Sequence, residues 1–499
     1  MPRITEHYPV PDRTYVKRLR RHAPSSLVPL IAATGAKLPS MTDPEYRRSF
    51  AARLYNPWAL LDTAWMSLLR GTENRSRPAR PADLEEMLQL YFALDEPMRQ
   101  QPVGERLEGF LLRLAGQQFV WQEHEFSELA RPIAMLQHTT AAEPAKLKAI
   151  TPGWDERLFG CSLGDYVGVA QMLWGVSKAR AGRFDPQWMA GDLGSFASLT
   201  TPEELAKVID AHFATTTRAL RDQAKADTER AAAAGTLPLD PALRRFAFNP
   251  LRARPALSDF GPGYLLPVPA AALAKVSPFG LYYSGWEVHK QTFANDLGDL
   301  FEQYVGRQLG LIKGATVHPE IKYRDEKKNT VKSIDWFVVL DDLVLLVEVK
   351  SARPTASLRL GPLEWATEIE AKLAKAVNQL QKSADRVTDG DPAFAHIPSD
   401  RQLLGMVVTM EPYHLVNSSE FRSVLPTATF PVTVAAVSEL EDAVVVGDTT
   451  VSDLLRTGST SPDGWSIRAS LDGRIFGENP ILAKAWETLP FSKALPASR

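Results

Sequence analysis

The sequence predicts a chain in two parts: a largely α-helical N-terminal region, then a core of the α+β/α/β class with element order α-β-β-β-α-β-β. Three observations predict it. From about residue 42 to residue 235 apolar residues recur three and four apart, the helical period. Prolines 238, 241, 250, 255, 262, 267 and 269 then interrupt any regular element. Beyond about residue 285, helical and two-residue periods alternate.

In chain order, the helical period is clearest at residues 84–94, 107–114 and 166–176. A further helix opens at Thr201-Pro202-Glu203-Glu204, where Thr201 caps, Pro202 suits the first helical position and Glu204 completes a capping box; it is expected to run to residue 234. The core begins with a helix over 293–309, followed by strands near 315–323, 331–340 and 343–350, a helix from 363 to about 383, and strands at 403–410 and 430–437. Ser438-x-x-Glu441 matches a second capping box, and the tail from residue 458 carries little pattern. The expected domains are therefore 1–235, helical; 236–285, a Pro-rich connector or irregular packed segment; and 286–499, the mixed core with a C-terminal extension.

Composition narrows the function classes. The 499 residues are 44% hydrophobic and 23% charged, close to globular averages. Fifty-seven Lys and Arg against 59 Asp and Glu give a formal charge of -2, so any nucleic-acid site must be local rather than a property of the whole surface. The one cysteine, Cys161, lies among Leu158, Phe159 and Leu163 and reads as a buried, inert thiol in a reducing, cytoplasmic setting. The first residues lack a secretory signal, and no apolar run reaches the roughly 18 to 20 residues that span a bilayer.

The chemistry concentrates in the pair of strands joined by Asp341-Asp342. With those two residues as the turn, Leu340 faces Leu343 and Asp335 faces Glu348. Period-two alternation places Asp335 on one face with Phe337 and Val339, and Glu348 on the same face with Leu346 and Lys350. Opposed carboxylates repel, and a divalent cation offsets the repulsion; the hard oxygen donors suit Mg2+, with Mn2+ a substitute. Lys350 is then placed to hold an attacking water or to stabilise charge on a phosphate. An ordinary surface cluster is the alternative, but the run Leu343 to Val347 predicts burial on both faces. On the preceding helix Glu302 borders the apolar stripe of Val305 and Leu309, and Gly298, Gly306 and Gly310 flank it along a smooth groove that suits a strand or a substrate backbone; helix–sheet packing, and a helix C-cap at Gly310, are the alternatives.

These residues, Gly298-x-x-Phe301-Glu302, Ile334-Asp335-Trp336 and Glu348-Val349-Lys350-Ser351, resemble the PD-(D/E)XK, or restriction-endonuclease-like, nuclease superfamily. Ile334 stands where the motif name has Pro. The resemblance covers roughly residues 290–437, and the long helical region ahead of it is similar to the extensions of some bacterial members. It implies a restriction-endonuclease-like core in which Asp335, Glu348 and the Val349 carbonyl bind Mg2+, Glu302 holds a metal-bound water, Lys350 orients the nucleophile, and Gln379 on the following helix stands near the site. It also implies anti-phage defence or DNA repair as a setting.

Several basic residues are candidates for phosphate contact, with a plain solvated face as the alternative: Arg353 and Arg359 in the loop after Lys350, and Lys372, Lys375 and Lys382 beside Gln379 on one side of the next helix. The loop at 324–330 is a weaker candidate, and Lys17, Arg18, Arg20 and Arg21 make a short basic run that reads first as a solvated helix face and second as a contact for DNA or RNA. His124-Glu125 lacks the second histidine of a zinc-protease helix, no phosphate-binding G-x-x-x-x-G-K-[ST] or G-x-S-x-G elbow occurs, and His414 reads as structural. The leading expectation is a Mg2+-dependent nuclease acting on DNA in preference to RNA. The alternatives are a non-catalytic nucleic-acid-binding or assembly protein of the same fold, and a helical partner-binding protein, or homo-oligomer, with an auxiliary nuclease.

Overall fold

The computed structural model describes residues 9–40, 43–49, 54–95, 103–118, 121, 125–191, 198–235, 243–324, 328–351, 369–413, 415–462 and 464–490. The protein is mixed helix and sheet, and it divides into two compact units that are not contiguous in sequence. One comprises Met1–Leu129, Gly153–Leu281 and Trp486–Arg499; the other comprises Ala130–Pro152 and Tyr282–Ala485. Among the described residues no helix is long and apolar enough to cross a membrane.

In the first unit, helices Pro24–Gly35, Pro57–Arg70 and Pro81–Phe92 each start on a proline, whose missing N–H costs nothing at that position. Their apolar faces meet in a core that includes Leu27, Ile31, Leu60, Leu61, Leu88 and Tyr91. The Thr201 and Glu204 capping box forms as expected, but the helix ends at His212. Ala214–Thr215 is a strand, and Thr216 caps a separate helix, Thr217–Ala233, by accepting from the Ala219 N–H. The run of three threonines favours extended backbone and a new cap over continuation. The Pro-rich segment is no mere connector. Strands Ala256–Leu257 and Tyr264–Leu265 join Ala214–Thr215 and Arg183–Phe184 in a four-stranded sheet, and Leu251, Leu257, Leu265 and Val268 enter the core. The nominally helical region thus carries two short strands of its own. Cys161 is half-buried, and burial, aided by Asp165 and Asp155, pushes its thiol up to about 12.

The second unit is built on a five-stranded sheet. Helix α1 (Gln291–Leu309) precedes β1 (Thr316–Pro319), β2 (Trp336–Val339) and β3 (Leu343–Lys350); α2 (Lys375–Thr388) follows a wider helical turn at Glu370–Ala374; then come β4 (Gln402–Thr409), β5 (Val432–Ala436) and α3 (Val437–Ala443). The spatial order is β5-β4-β3-β2-β1, with β1, β2 and β3 antiparallel and β3, β4 and β5 parallel. Residues 343–349 of the central strand β3 are all buried, as a strand covered on both faces requires. The expected long strands at 315–323 and 331–340 are each broken. Pro319 has no N–H to extend the ladder, and Ile321 instead exchanges hydrogen bonds with Ser333, so that Lys322–Arg324 and Thr330–Lys332 pair as a separate small hairpin.

Residues 130–152 belong to this unit because α1 binds them. Asp296 accepts the N–H groups of Lys148, Ala149 and Ile150 at 2.8, 2.6 and 2.8 Å, and Arg307 donates to the carbonyls of Ala134 and His138. Buried Arg131 grips Glu441 with both ends of its guanidinium, each at 2.8 Å, and the Tyr304 hydroxyl donates to the same carboxylate at 2.7 Å. Glu441 is therefore not a helix cap. The cap of α3 lies two residues earlier, where the Glu439 carboxylate accepts from the Ala436 N–H at 3.1 Å.

Candidate active site

The β2 and β3 hairpin pairs Trp336 with Val347, Phe337 with Leu346, Val338 with Leu345 and Val339 with Val344, and the Leu340 N–H meets the Leu343 carbonyl at 2.9 Å across the Asp341-Asp342 turn. Extending that register brings Asp335, one residue before β2, to Glu348. The Asp335 carboxylate accepts from the Val349 N–H at 2.7 Å, which fixes it against the end of β3. Glu348 is 1% exposed. One of its oxygens accepts from the Lys350 ammonium; the other, Oε2, has no hydrogen-bond partner among the described residues. Lys350 also donates to Oε1 of Gln379 on α2 at 3.3 Å. The structure thus brings Asp335, Glu348, Lys350 and Gln379 together, with the Val349 backbone between the two acids.

Glu302 approaches from α1. The Trp336 indole N–H donates to its backbone carbonyl at 3.2 Å, and its carboxylate accepts from Gln303 at 3.1 Å. Gly306, one helical turn on, is where the Trp336 ring lies: a Cβ there would overlap the indole. The glycine groove expected beside Glu302 is occupied at Gly306 by the strand's own side chain, while Gly298 faces Ser351 at ordinary contact distance.

Burial first, then the Asp335 charge, raises Glu348 to about 7, with Lys350 opposing. Glu302 is also raised to about 7, by burial and then by Asp335, Glu320 and Asp299, with Lys332 opposing. Burial raises Asp335 too, held back by the Val349 N–H and Lys350. Glu320 and Lys332, 3.0 Å apart, thus border the site and were not read from the sequence. Glu320 precedes the small hairpin and Lys332 ends it, where no motif spacing marks them. Only the folding of that hairpin brings them towards the acids. As the side chains stand, no three His, Cys, Asp or Glu among the described residues close on one point as a metal ion would require; the Lys350 ammonium lies on Glu348 instead.

Of the phosphate candidates, Lys372, Lys375 and Lys382 are exposed along α2 and the turn before it, with Gln379 turned inward to Lys350. Arg353 and Arg359 lie outside the described residues, as do His124, His414 and residues 325–327 of the basic loop. No family model matches the chain, and neither does any curated protein or solved structure.

Proposed function

We propose that the second unit is a PD-(D/E)XK-type, restriction-endonuclease-like core and that the protein is a Mg2+-dependent nuclease hydrolysing phosphodiester bonds in DNA. One observation supports this most: a buried carboxylate, Glu348, with one oxygen unpartnered, set beside a second acid and a lysine at the end of a central strand. A carboxylate oxygen sealed from water without a donor is costly, and a hard cation relieves it. The donor chemistry suits Mg2+, a hard ion: once Lys350 leaves Glu348, Asp335, Glu348 and the Val349 carbonyl would hold it, with Glu302 on α1 as a further acid. When bound, the ion supplies Lewis-acid stabilisation of the charge that develops on the phosphate.

The chain's own groups then divide the work. Asp335 is oriented by the Val349 N–H. Lys350, freed from Glu348, directs its ammonium at the attacking water or the non-bridging phosphate oxygen, and Gln379 aims it from α2. Glu302, raised to about 7, holds or releases a proton near neutral pH. Exposed Lys372, Lys375 and Lys382 extend from Gln379 along a surface where backbone phosphates would lie. Anti-phage defence or DNA repair is the setting this reading suggests.

The test incubates the full chain with supercoiled plasmid, single-stranded DNA and RNA in Mg2+, Mn2+ or EDTA. Cleavage that requires the metal and falls by about 10²-fold or more in Lys350→Ala and in Asp335→Ala supports the reading. No metal-dependent cleavage of any substrate, or equal cleavage by the variants, overturns it.

A further inference from the structure

The first unit carries a concentration of positive charge in which the acid cluster has no part. Helix Asp12–Leu19 sets exposed Arg13 and Lys17 one turn apart, and exposed Arg20 and Arg21 follow its end. Arg75 and Arg77, from the segment between helices Pro57–Arg70 and Pro81–Phe92, line the same open depression of about 800 Å3, whose single apolar lining residue is Val16. Arg75 Nε donates to the Arg20 carbonyl at 3.0 Å, pinning the two segments together across 55 residues of sequence.

The neighbouring acids do not neutralise this surface. Glu86 is taken by Arg18, Glu73 accepts from Ser25, and Asp83 pairs with Arg77 at 2.9 Å and lies 3.8 Å from Arg18. Among the described residues Arg13, Lys17, Arg20, Arg21 and Arg75 pair with no carboxylate. The dipole of the short helix favours cations in its last turn and so accounts for Lys17 and Arg18. It gives no reason for Arg75 and Arg77 to be brought to the same place, where like charges repel.

We propose that this depression binds the sugar-phosphate backbone of a nucleic acid. Its cations recur at successive helical turns, roughly 5.4 Å apart, which suits a chain of repeated charges better than one small anion. All but Lys17 are arginines, whose planar fork engages phosphate through two N–H groups. A concave surface with one apolar residue is poorly suited to a membrane, where apolar side chains enter the headgroup layer. Contacts of this kind hold a strand without reading its sequence. The proposal concerns binding alone and stands apart from whether the acid cluster cleaves.

The test uses full-length protein carrying Asp335→Ala, in EDTA so that nothing is cut, titrated over a salt series with fluorescent duplex DNA, single-stranded DNA and single-stranded RNA of one length. Adding Arg13→Ala, Lys17→Ala and Arg21→Ala together should weaken the tightest of the three at least about tenfold and reduce the slope of log affinity against log salt by about 2 to 3, at 0.7 to 0.9 for each lost phosphate contact. A control triple, Arg218→Ala, Lys225→Ala and Arg230→Ala, removes the same charge from the exposed helix Thr217–Ala233 and should change neither quantity. Equal losses in the two triples, an unchanged slope in the first, or no binding of any nucleic acid alongside binding to phosphatidylserine vesicles would each overturn the proposal. A protein that cuts nothing yet loses binding in the first triple alone would leave it standing while sinking the nuclease reading.

Discussion

Glu348→Gln should make the metal-free protein more stable at alkaline pH. Glu348 is almost fully buried and its carboxyl is raised from 4.5 to about 7, mainly by burial and secondly by Asp335. A carboxyl whose folded value lies above its unfolded value holds its proton more tightly in the native state. Below about pH 4.5 both states are protonated and nothing is lost; between 4.5 and 7 the unfolded state gives up its proton first and stability falls, and above 7, where the native state also carries the charge, the loss is complete. That rise corresponds to a penalty of about 3 kcal/mol at pH 8, shrinking to about 1 kcal/mol at pH 5. Glutamine removes the charge and keeps the shape. Lys350 then loses its carboxylate, but that lysine is 25% exposed and keeps Gln379, so the cost is about 1 kcal/mol at most. The net gain is about 2 kcal/mol at pH 8 in EDTA, an increase of about 4 to 8 °C in the melting temperature of a unit this size, and close to zero at pH 5. Melting wild type and variant in parallel at both pH values checks it. Adding Mg2+ at pH 8 should raise the wild type and leave the variant nearly unmoved. A variant less stable than wild type at pH 8 in EDTA, or a difference that does not change with pH, would refute the argument that Glu348 carries an uncompensated charge.

Gly306→Ala should destabilise the protein by about 2 kcal/mol in urea titration, because overlap with the rigid Trp336 indole puts the cost near the upper end of about 1 to 3 kcal/mol, against about 1 kcal/mol gained in helix propensity. Arg131→Met should cost about 3 to 5 kcal/mol by stranding the buried Glu441 carboxylate, and adding Glu441→Leu should recover much of that loss; an additive double variant would contradict the pairing. The native Cys161 thiol should react with iodoacetamide at pH 8 about 30-fold more slowly than in urea. That factor follows from a rise from 9.0 to about 12, roughly halved in logarithm by the greater nucleophilicity of a more basic thiolate, and equal rates would refute it.

The β2 and β3 register was readable because two constraints act locally: a two-residue turn at Asp341-Asp342 fixes which residues face each other, and the two-residue side-chain period fixes which share a face. Asp335, Glu348 and Lys350 follow from those alone. Where local pattern and tertiary packing disagree, the sequence misleads. Ser438-x-x-Glu441 has the spacing of a capping box, yet Glu439 takes the cap and Glu441 turns inward to Arg131, a partner 310 residues away in the chain. Alternation continues through 315–323, but Pro319 ends the ladder. The division into units could not be read from any linker, because Ala130–Pro152 is held by Asp296, Arg307 and Glu441, and none of those contacts has a local signature. The small hairpin that carries Lys332 and follows Glu320 went unread for the same reason.

The contrast among three buried acids of the second unit sharpens the case for the site. Asp296, Glu348 and Glu441 are each less than 5% exposed. Asp296 accepts three backbone N–H groups, and Glu441 takes a two-pronged guanidinium and a tyrosine hydroxyl. Both sit where α1 is anchored, and each is fully supplied with donors. Glu348 meets one flexible ammonium, keeps an unpartnered oxygen, and faces a second carboxylate that raises it further. A unit that saturates its structural carboxylates so completely shows that donors can be supplied where a charge is only to be buried. Their scarcity around Glu348, together with a half-exposed carboxylate on Glu302 that is also raised to about 7, is therefore specific to this end of the sheet. On the proposed reading a cation offsets this local surplus of negative charge, and this is the reason the stability of Glu348→Gln, with and without Mg2+, tests the site independently of any cleavage assay.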